Sequence, residues 1–243
     1  MKPVFYTLII LLLASCETLP PSPASSSKTN IKAYYFPIDN LFEGKVYVYT
    51  PLSDSLTSYF VYYKNNGGYL TGTFYNHQFK VEQITNETVV RNGTLMNRIQ
   101  LCHYSESNPD ICEAIVPNIE YDNVFPFEVT DSTGVFLYEV NWKDAVDTTL
   151  EYSVLRNKHF LGFTTYEYKD KEYDCVKLGI REETKVGSPT QGYQTFKAYT
   201  EELYAKNLGL VYYKKNIDNA KILEYALADT LSMETLEQMV IEQ

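Results

Sequence analysis

The sequence predicts a mainly β protein, with antiparallel meanders forming a curved sheet or a sandwich and a short helix at the C-terminus. Three observations lead there. Short runs of β-branched and aromatic residues alternate with polar ones at the two-residue period of a strand. Clusters of Asn, Gly, Pro and Asp punctuate those runs at roughly 8–15-residue spacing, as consecutive hairpins require. Segments with helical periodicity are scarce until the C-terminus, which argues against an alternating α/β chain.

Taken in order, residues 1–15 have the build of a secretory signal. Lys2 gives a basic start, Val4 to Leu13 form an apolar run broken only by Tyr6 and Thr7, and Ala14-Ser15 supply small residues for cleavage. The apolar run is roughly 10 residues against the roughly 20 that a spanning helix needs, so it predicts a removable signal and not a membrane span. Residues 16–32 are rich in Pro and Ser and bury too little apolar surface to offset their ordering entropy. They read as a disordered tether, in which Glu17 to Lys32 reach at most roughly 50 Å at about 3.1 Å per residue.

Residues 33–243 form the β-rich body. Strands are expected at Lys45–Tyr49, Leu56–Tyr63, Phe79–Ile84, Val135–Val140, Leu150–Leu155 and Leu208–Tyr213. Asn65-Asn66-Gly67-Gly68, Asn92-Gly93, Asn108-Pro109-Asp110 and Gly187-Ser188-Pro189 mark the connections. Ile99–Cys102 and Ile111–Ile115 read as the arms of a long hairpin that places Cys102 and Cys112 across from one another. Outside the cytoplasm such a pair could hold a cross-strand disulfide. Cys175 is then left over as a small buried hydrophobe. A weak internal repeat aligns Phe36-Pro37 with Phe125-Pro126, and Gly44, Tyr62 and Gly72 with Gly134, Tyr152 and Gly162. It would divide the body into similar halves, 33–123 and 124–228. A helix is expected over 230–242, capped within Asp229–Ser232 and carrying an apolar stripe of Leu236, Met239 and Val240.

The junction Leu13-Ala14-Ser15-Cys16 resembles the lipobox of bacterial lipoproteins. That resemblance implies cleavage before Cys16, a diacylglyceryl group on its thiol and an acyl chain such as palmitate on its amino group. The membrane would then be a partner through lipid alone, since each buried CH₂ contributes about 0.8 kcal/mol. Glu17 is not the Asp that favours inner-membrane retention in such proteins, which implies the outer membrane. The run Tyr204-Ala205-Lys206, followed by Gly209-Leu210-Val211, resembles the closing strands of uncharacterised Bacteroidota cell-envelope lipoproteins. A broader likeness, at the level of fold only, is to the curved half-barrels of lipoprotein carriers. Asp54-Ser55-Leu56, Asp131-Ser132-Thr133, Asp147-Thr148-Thr149 and Asp229-Thr230-Leu231 resemble the sequon that Bacteroidota O-glycosylate in exported proteins. The resemblance implies modification at Ser55 and Thr148, the two best placed in loops.

Loss of residues 1–15 removes Lys2 from the 21 Lys and Arg, leaving 20 against 31 acidic residues and a charge of −11. So acidic a chain is unsuited to nucleic acid or to charge-driven adhesion to anionic headgroups. Tyrosine is the compositional oddity, with 23 against the single Trp142. Tyr suits a half-buried sheet face with its hydroxyl in water; the other reading is a ring platform for sugars or apolar ligands. The near absence of Trp favours plain sheet surface.

Candidate chemistry is sparse. His77, His103 and His159 stand apart in none of the metal-ligand spacings. Cys102 and His103, as strand neighbours, point to opposite faces and make no thiol–imidazole pair. There is no nucleophile elbow and no phosphate-cradling loop. The acidic pairs Glu182-Glu183 and Glu201-Glu202 diverge across a strand and read as solvated edge charge. Asp39, Asp54, Asp131 and Asp147 lack the spacing of a calcium loop. No metal, cofactor or catalytic residue is expected. The functional expectation is a non-enzymatic binding or interaction module on a membrane tether, taking a hydrophobic ligand, a glycan or a protein. A concave apolar sheet face would favour the hydrophobic ligand. The competing class is a hydrolase of envelope or dietary polymers, whose carboxylates meet only in the fold.

Overall fold

A computed structural model describes residues 28–53, 56–130, 134–218 and 220–242. The first strands are β1 (Thr29–Asn30), β2 (Lys45–Pro51), β3 (Tyr59–Asn65), β4 (Tyr69–Tyr75), β5 (Val81–Val90) and β6 (Gly93–Ser105). There follow β7 (Asn108–Ile115), β8 (Asn118–Pro126), β9 (Glu128–Val129), β10 (Phe136–Lys143) and β11 (Glu151–Tyr168). The chain ends with β12 (Lys171–Ser188), β13 (Gly192–Ala205), β14 (Gly209–Ile217), β15 (Lys221–Leu231) and α1 (Met233–Ile241).

The fold is mainly β and antiparallel with a C-terminal helix, but the sheet is neither open nor doubled. It closes as a 12-strand barrel in the order β5-β4-β3-β2-β15-β14-β13-β12-β11-β10-β8-β6, with β6 returning to β5. The strand that closes it is β6. Its first residues pair with β8, from Gly93↔Pro126 to Leu95↔Asn123, while Gly93 to Leu101 pair with β5. Closure removes the free edges that a curved sheet would leave. Its upper end carries β7, a short strand outside the ring. Both halves of the proposed repeat contribute strands to this one ring.

The tallest wall is the hairpin of β11 and β12, each of 18 residues. They are joined by Lys169-Asp170 with φ of 50° and 58°, a two-residue turn whose backbone twist suits the strands. The outer face of β12 is polar: Arg181 and Lys185 are exposed, and Lys177 pairs with Glu201 of β13 at 2.9 Å. A lipid-facing wall would be apolar there.

One end of the barrel is stoppered by the segment Ile31–Leu41, which makes two 3₁₀ turns, Lys32–Tyr34 and Ile38–Asn40. Backbone bonds pin it to the hairpin ends beneath. The Ile31 amide donates to the Phe127 carbonyl (2.8 Å), that of Asn207 to Ala33 (2.7 Å), and that of Asn65 to Leu41 (2.8 Å). Ile31, Tyr35, Phe36 and Leu41 are buried, and Phe36 lies against Tyr63 with ring centroids 4.2 Å apart. Gly209 (φ +100°) gives this plug its room, since a Cβ there would stand 2.4 Å from the Phe36 ring. Residues 29–32 were expected in the tether. They are instead ordered: β1 pairs with β9 and Ile31 is fully buried, because an isoleucine at this point has a core to enter.

Cys102 of β6, whose register partner is Ala114, is joined to Cys112 of β7 with the Cα atoms 4.9 Å apart, while Cys175 is a buried free thiol. Burial and the neighbouring Asp174 push that thiol up to about 11, which leaves it unreactive. The disulfide ties a strand outside the ring. Reduction is therefore expected to raise amide hydrogen exchange over Asn108–Ile115 while leaving β11 and β12 protected. Helix α1 starts at Met233, where the Ser232 hydroxyl accepts the Thr235 amide at 3.1 Å. Thr230 and Leu231, expected in the helix, finish β15 because they pair with Tyr47 and Val46 of β2. Only Leu236 of the expected stripe is buried, against Val46 and Phe60; Met239 and Val240 are exposed.

Candidate functional site

The period-2 alternation of the strands sets one residue in two facing the inside of the barrel. Above the plug the inward side chains leave a cavity of about 900 Å³, the size of a small-molecule site. Its walls are apolar and aromatic: Met96, Ile99 and Leu101 from β6, Val140 and Trp142 from β10, Val154 from β11, Tyr59 from β3 and Leu223 from β15. The exposed Thr57 and His77 lie on its lining at the end away from the plug, so the cavity opens to solvent there. Trp142 stacks on Tyr152 at 5.3 Å and 7° near the same end.

Tyrosine builds much of the interior. Tyr35, Tyr47, Tyr49, Tyr63 and Tyr204 are buried, so their abundance is not plain sheet surface. The reason is closure: a 12-strand ring has a wide inside, and long planar rings fill it where Val or Leu would leave voids. The Tyr49 hydroxyl donates to the Leu210 carbonyl (2.9 Å) and that of Tyr225 to Thr57 (3.2 Å). Burial holds Tyr35, Tyr49, Tyr59, Tyr63 and Tyr204 well above the ordinary phenol range, so all five stay neutral.

Between plug and apolar walls lies a belt of charge. Arg156 and Glu182 are register partners on β11 and β12, with Nε to carboxylate at 2.8 Å, and Lys215 of β14 reaches the other oxygen of Glu182. One step nearer the plug, Lys158 pairs with Glu202 at 3.1 Å, and Tyr204 donates to the same carboxylate at 2.9 Å. The Lys158 ammonium also stands 5.6 Å from the Phe125 ring centre and 5.5 Å from that of Tyr204. Glu87 of β5 completes the belt, accepting from the Tyr35 hydroxyl at 2.7 Å. Arg156 keeps 38% of its side chain accessible although it stands deep in the ring. That open surface faces the cavity.

The carboxylates differ in kind. Burial alone would raise Glu182 and Glu202, but Arg156 and Lys215 outweigh it at the first, and Lys158 and Arg156 at the second. Both sit below the ordinary range. Glu87 goes the other way: burial raises it, beyond what the Tyr35 hydroxyl and Lys158 return. The signs of pH dependence follow. For Glu182 and Glu202 the unfolded chain binds more protons, so their contribution is lost as pH falls below the ordinary Glu range. For Glu87 the folded chain holds the proton longer, so stability is lost as pH rises above that range. Glu87→Gln is therefore expected to stabilise the protein at pH 7.5, with the gain vanishing at pH 4, in urea titrations at the two pH values.

The expected site residues fall as follows. Cys16 and Ser55 lie outside the described residues, as do Asp54 and Asp131–Thr133. Thr148 is exposed in the loop between β10 and β11, and Asp147 accepts the Thr149 amide and hydroxyl. Asp229 and Thr230 lie on β15 and not in a loop. His77 is on the cavity rim, His103 on β6 and His159 on β11 beside Tyr199. Glu182 and Glu202, expected as solvated edge charge, are buried in the lumen because ring closure turns their side of β12 and β13 inward. Their neighbours Glu183 and Glu201 keep the outward side. Sequence reasoning also passed over Arg156, Lys158 and Lys215; for the first two the signal is a pair of charges at strand period between Tyr152, Val154 and Phe160 at the same period.

No protein-family profile matches the chain, and no curated protein matches it. Two solved structures are similar to it. One is an inferred lipoprotein from Parabacteroides distasonis, 15% identical, with a TM-score of 0.49, covering 82% of this chain and 98% of that one. The other is an inferred exported protein with a YmcC-like fold from Bacteroides fragilis, 16% identical, with a TM-score of 0.49, covering 81% of this chain and 98% of that one.

Proposed function

We propose that this protein is a cell-envelope lipoprotein that binds a small apolar ligand inside its barrel without transforming it. The observation that carries the reading is the cavity of about 900 Å³, walled by Met96, Ile99, Val140, Trp142 and Val154 and open at one end. Burying a ligand there removes apolar surface from water at about 25 cal/mol per Å². Of the four carboxylates on the cavity lining, Glu182 and Glu202 are engaged by cations and Glu87 by Tyr35, while Glu82 is exposed at the start of β5, an arrangement that disfavours the hydrolase reading. The address rests on Leu13-Ala14-Ser15-Cys16, with lipid on Cys16 and the outer membrane as destination.

A neutral fluorescent probe, N-phenyl-1-naphthylamine, tests the lumen. Wild-type protein is expected to give saturable, one-to-one enhancement. Val154→Trp, which fills the cavity from β11, is expected to weaken it at least tenfold with an unchanged circular dichroism spectrum. Equal binding by the two proteins, or none by either, refutes the reading. Intact mass of protein from its native host checks the address: acylation at Cys16 is expected, and a chain beginning elsewhere would remove the anchor.

A further inference from the structure

We infer that the ligand is a monoanionic amphiphile, bound acid-inward, with its acid group on the guanidinium of Arg156 and its apolar body along the upper walls. This rests on the lumenal reading above and adds the chemistry of the bound molecule. Three features of the lumen carry it. Polarity is layered along the barrel axis: the charged belt lies against the plug, and Val140, Trp142, Val154 and Leu223 line the space between it and the mouth. A molecule that fills such a space has one polar end, and that end points down.

The belt also offers a donor and not an acceptor. Glu182 is held from two sides, by Arg156 and Lys215, and Glu202 by Lys158 and Tyr204. Arg156 spends only its Nε on Glu182, so among the described residues its two terminal nitrogens have no protein partner and face the cavity. A guanidinium in that state presents the paired N–H geometry that a carboxylate or phosphate accepts at two points. The pairing agrees. Lys158 and Lys215 are each held by a carboxylate, whereas Arg156 keeps an accessible face on the cavity, so the lumen presents one open guanidinium to one acid group. A cationic or zwitterionic head would place a like charge beside Arg156, and a neutral molecule would leave its terminal nitrogens bare.

The test compares cis-parinaric acid with its methyl ester on the full body of the protein at pH 7.5, read by fluorescence. The acid is expected to bind wild type about ten- to a hundredfold more tightly than the ester, the usual worth of a charge-assisted pair. In Arg156→Met the acid is expected to fall to the affinity of the ester. N-phenyl-1-naphthylamine, which has no acid, is expected to bind wild type saturably. Equal affinity of acid and ester for wild type overturns the inference whatever the variant does, and so requires no folded mutant. Failure of the neutral probe to bind wild type would instead overturn the lumenal reading itself. A free inorganic anion as the true occupant would show as phosphate displacing the acid at micromolar concentration without displacing the neutral probe, and would likewise overturn the amphiphile assignment.

Discussion

Phe36→Ala is expected to cost about 4 kcal/mol of folding stability, read as a shift in the urea midpoint with the slope unchanged. Phe36 is buried in the stopper, and its ring meets Tyr63 at 4.2 Å, Tyr47 at 5.0 Å and Tyr35 at 5.2 Å. Tyr47 and Tyr63 are held by their strands and Tyr35 by the ring of Phe125 and the carboxylate of Glu87, so they cannot collapse into the space. The deletion then costs both the transfer energy of the ring and the cavity left behind. Phe42, a few residues on, is 59% exposed. Phe42→Ala should change stability by no more than about 0.5 kcal/mol, which separates the role of the plug from any general effect of losing a ring in this segment. A loss below about 1.5 kcal/mol for Phe36→Ala would mean that the stopper is loosely packed.

The second large effect is expected at Glu182. Glu182→Gln leaves Arg156 and Lys215 together in the barrel without the carboxylate that separates them, at a cost of about 3 kcal/mol. Removing a partner from the other side should cost less. In Arg156→Met the carboxylate keeps Lys215, and in Lys215→Met it keeps Arg156. The order of the three variants in urea is therefore the measurement: Glu182→Gln weakest, the two cation variants milder and similar. If all three fell within about 0.5 kcal/mol of wild type, water in the lumen would be screening the cluster, as it screens exposed pairs.

The strands of the smaller hairpins were legible from composition and punctuation. Lys45–Tyr49 and Leu208–Tyr213 are short runs of β-branched, aliphatic and aromatic residues, and Asn66-Gly67-Gly68 and Asn92-Gly93 mark turns that only such residues make easily. In β11 and β12 both faces are mixed. Arg156, Lys158 and Glu182 face inward while Asn157, Arg181 and Glu183 face outward, so alternation does not say which side is the inside. Their length was hidden for that reason, and the charged belt with it. Closure was not legible either, because it needs β6 to be shared between β5 on one side and β8 on the other, and β2 to pair with β15 from the far end of the chain. The Tyr-rich composition was visible from the start. Its meaning changed with the topology, since the same ring covers the surface of an open sheet and fills the middle of a closed one.

The stopper has a mechanical consequence. Lys28–Ile31 lie beside Phe127 at the closed end, whereas Thr57 and His77 mark the mouth at the other. A pull applied at Lys28 would therefore load β1 and the Ile31 bond to Phe127 before any strand of the ring, at the end of the barrel opposite its mouth.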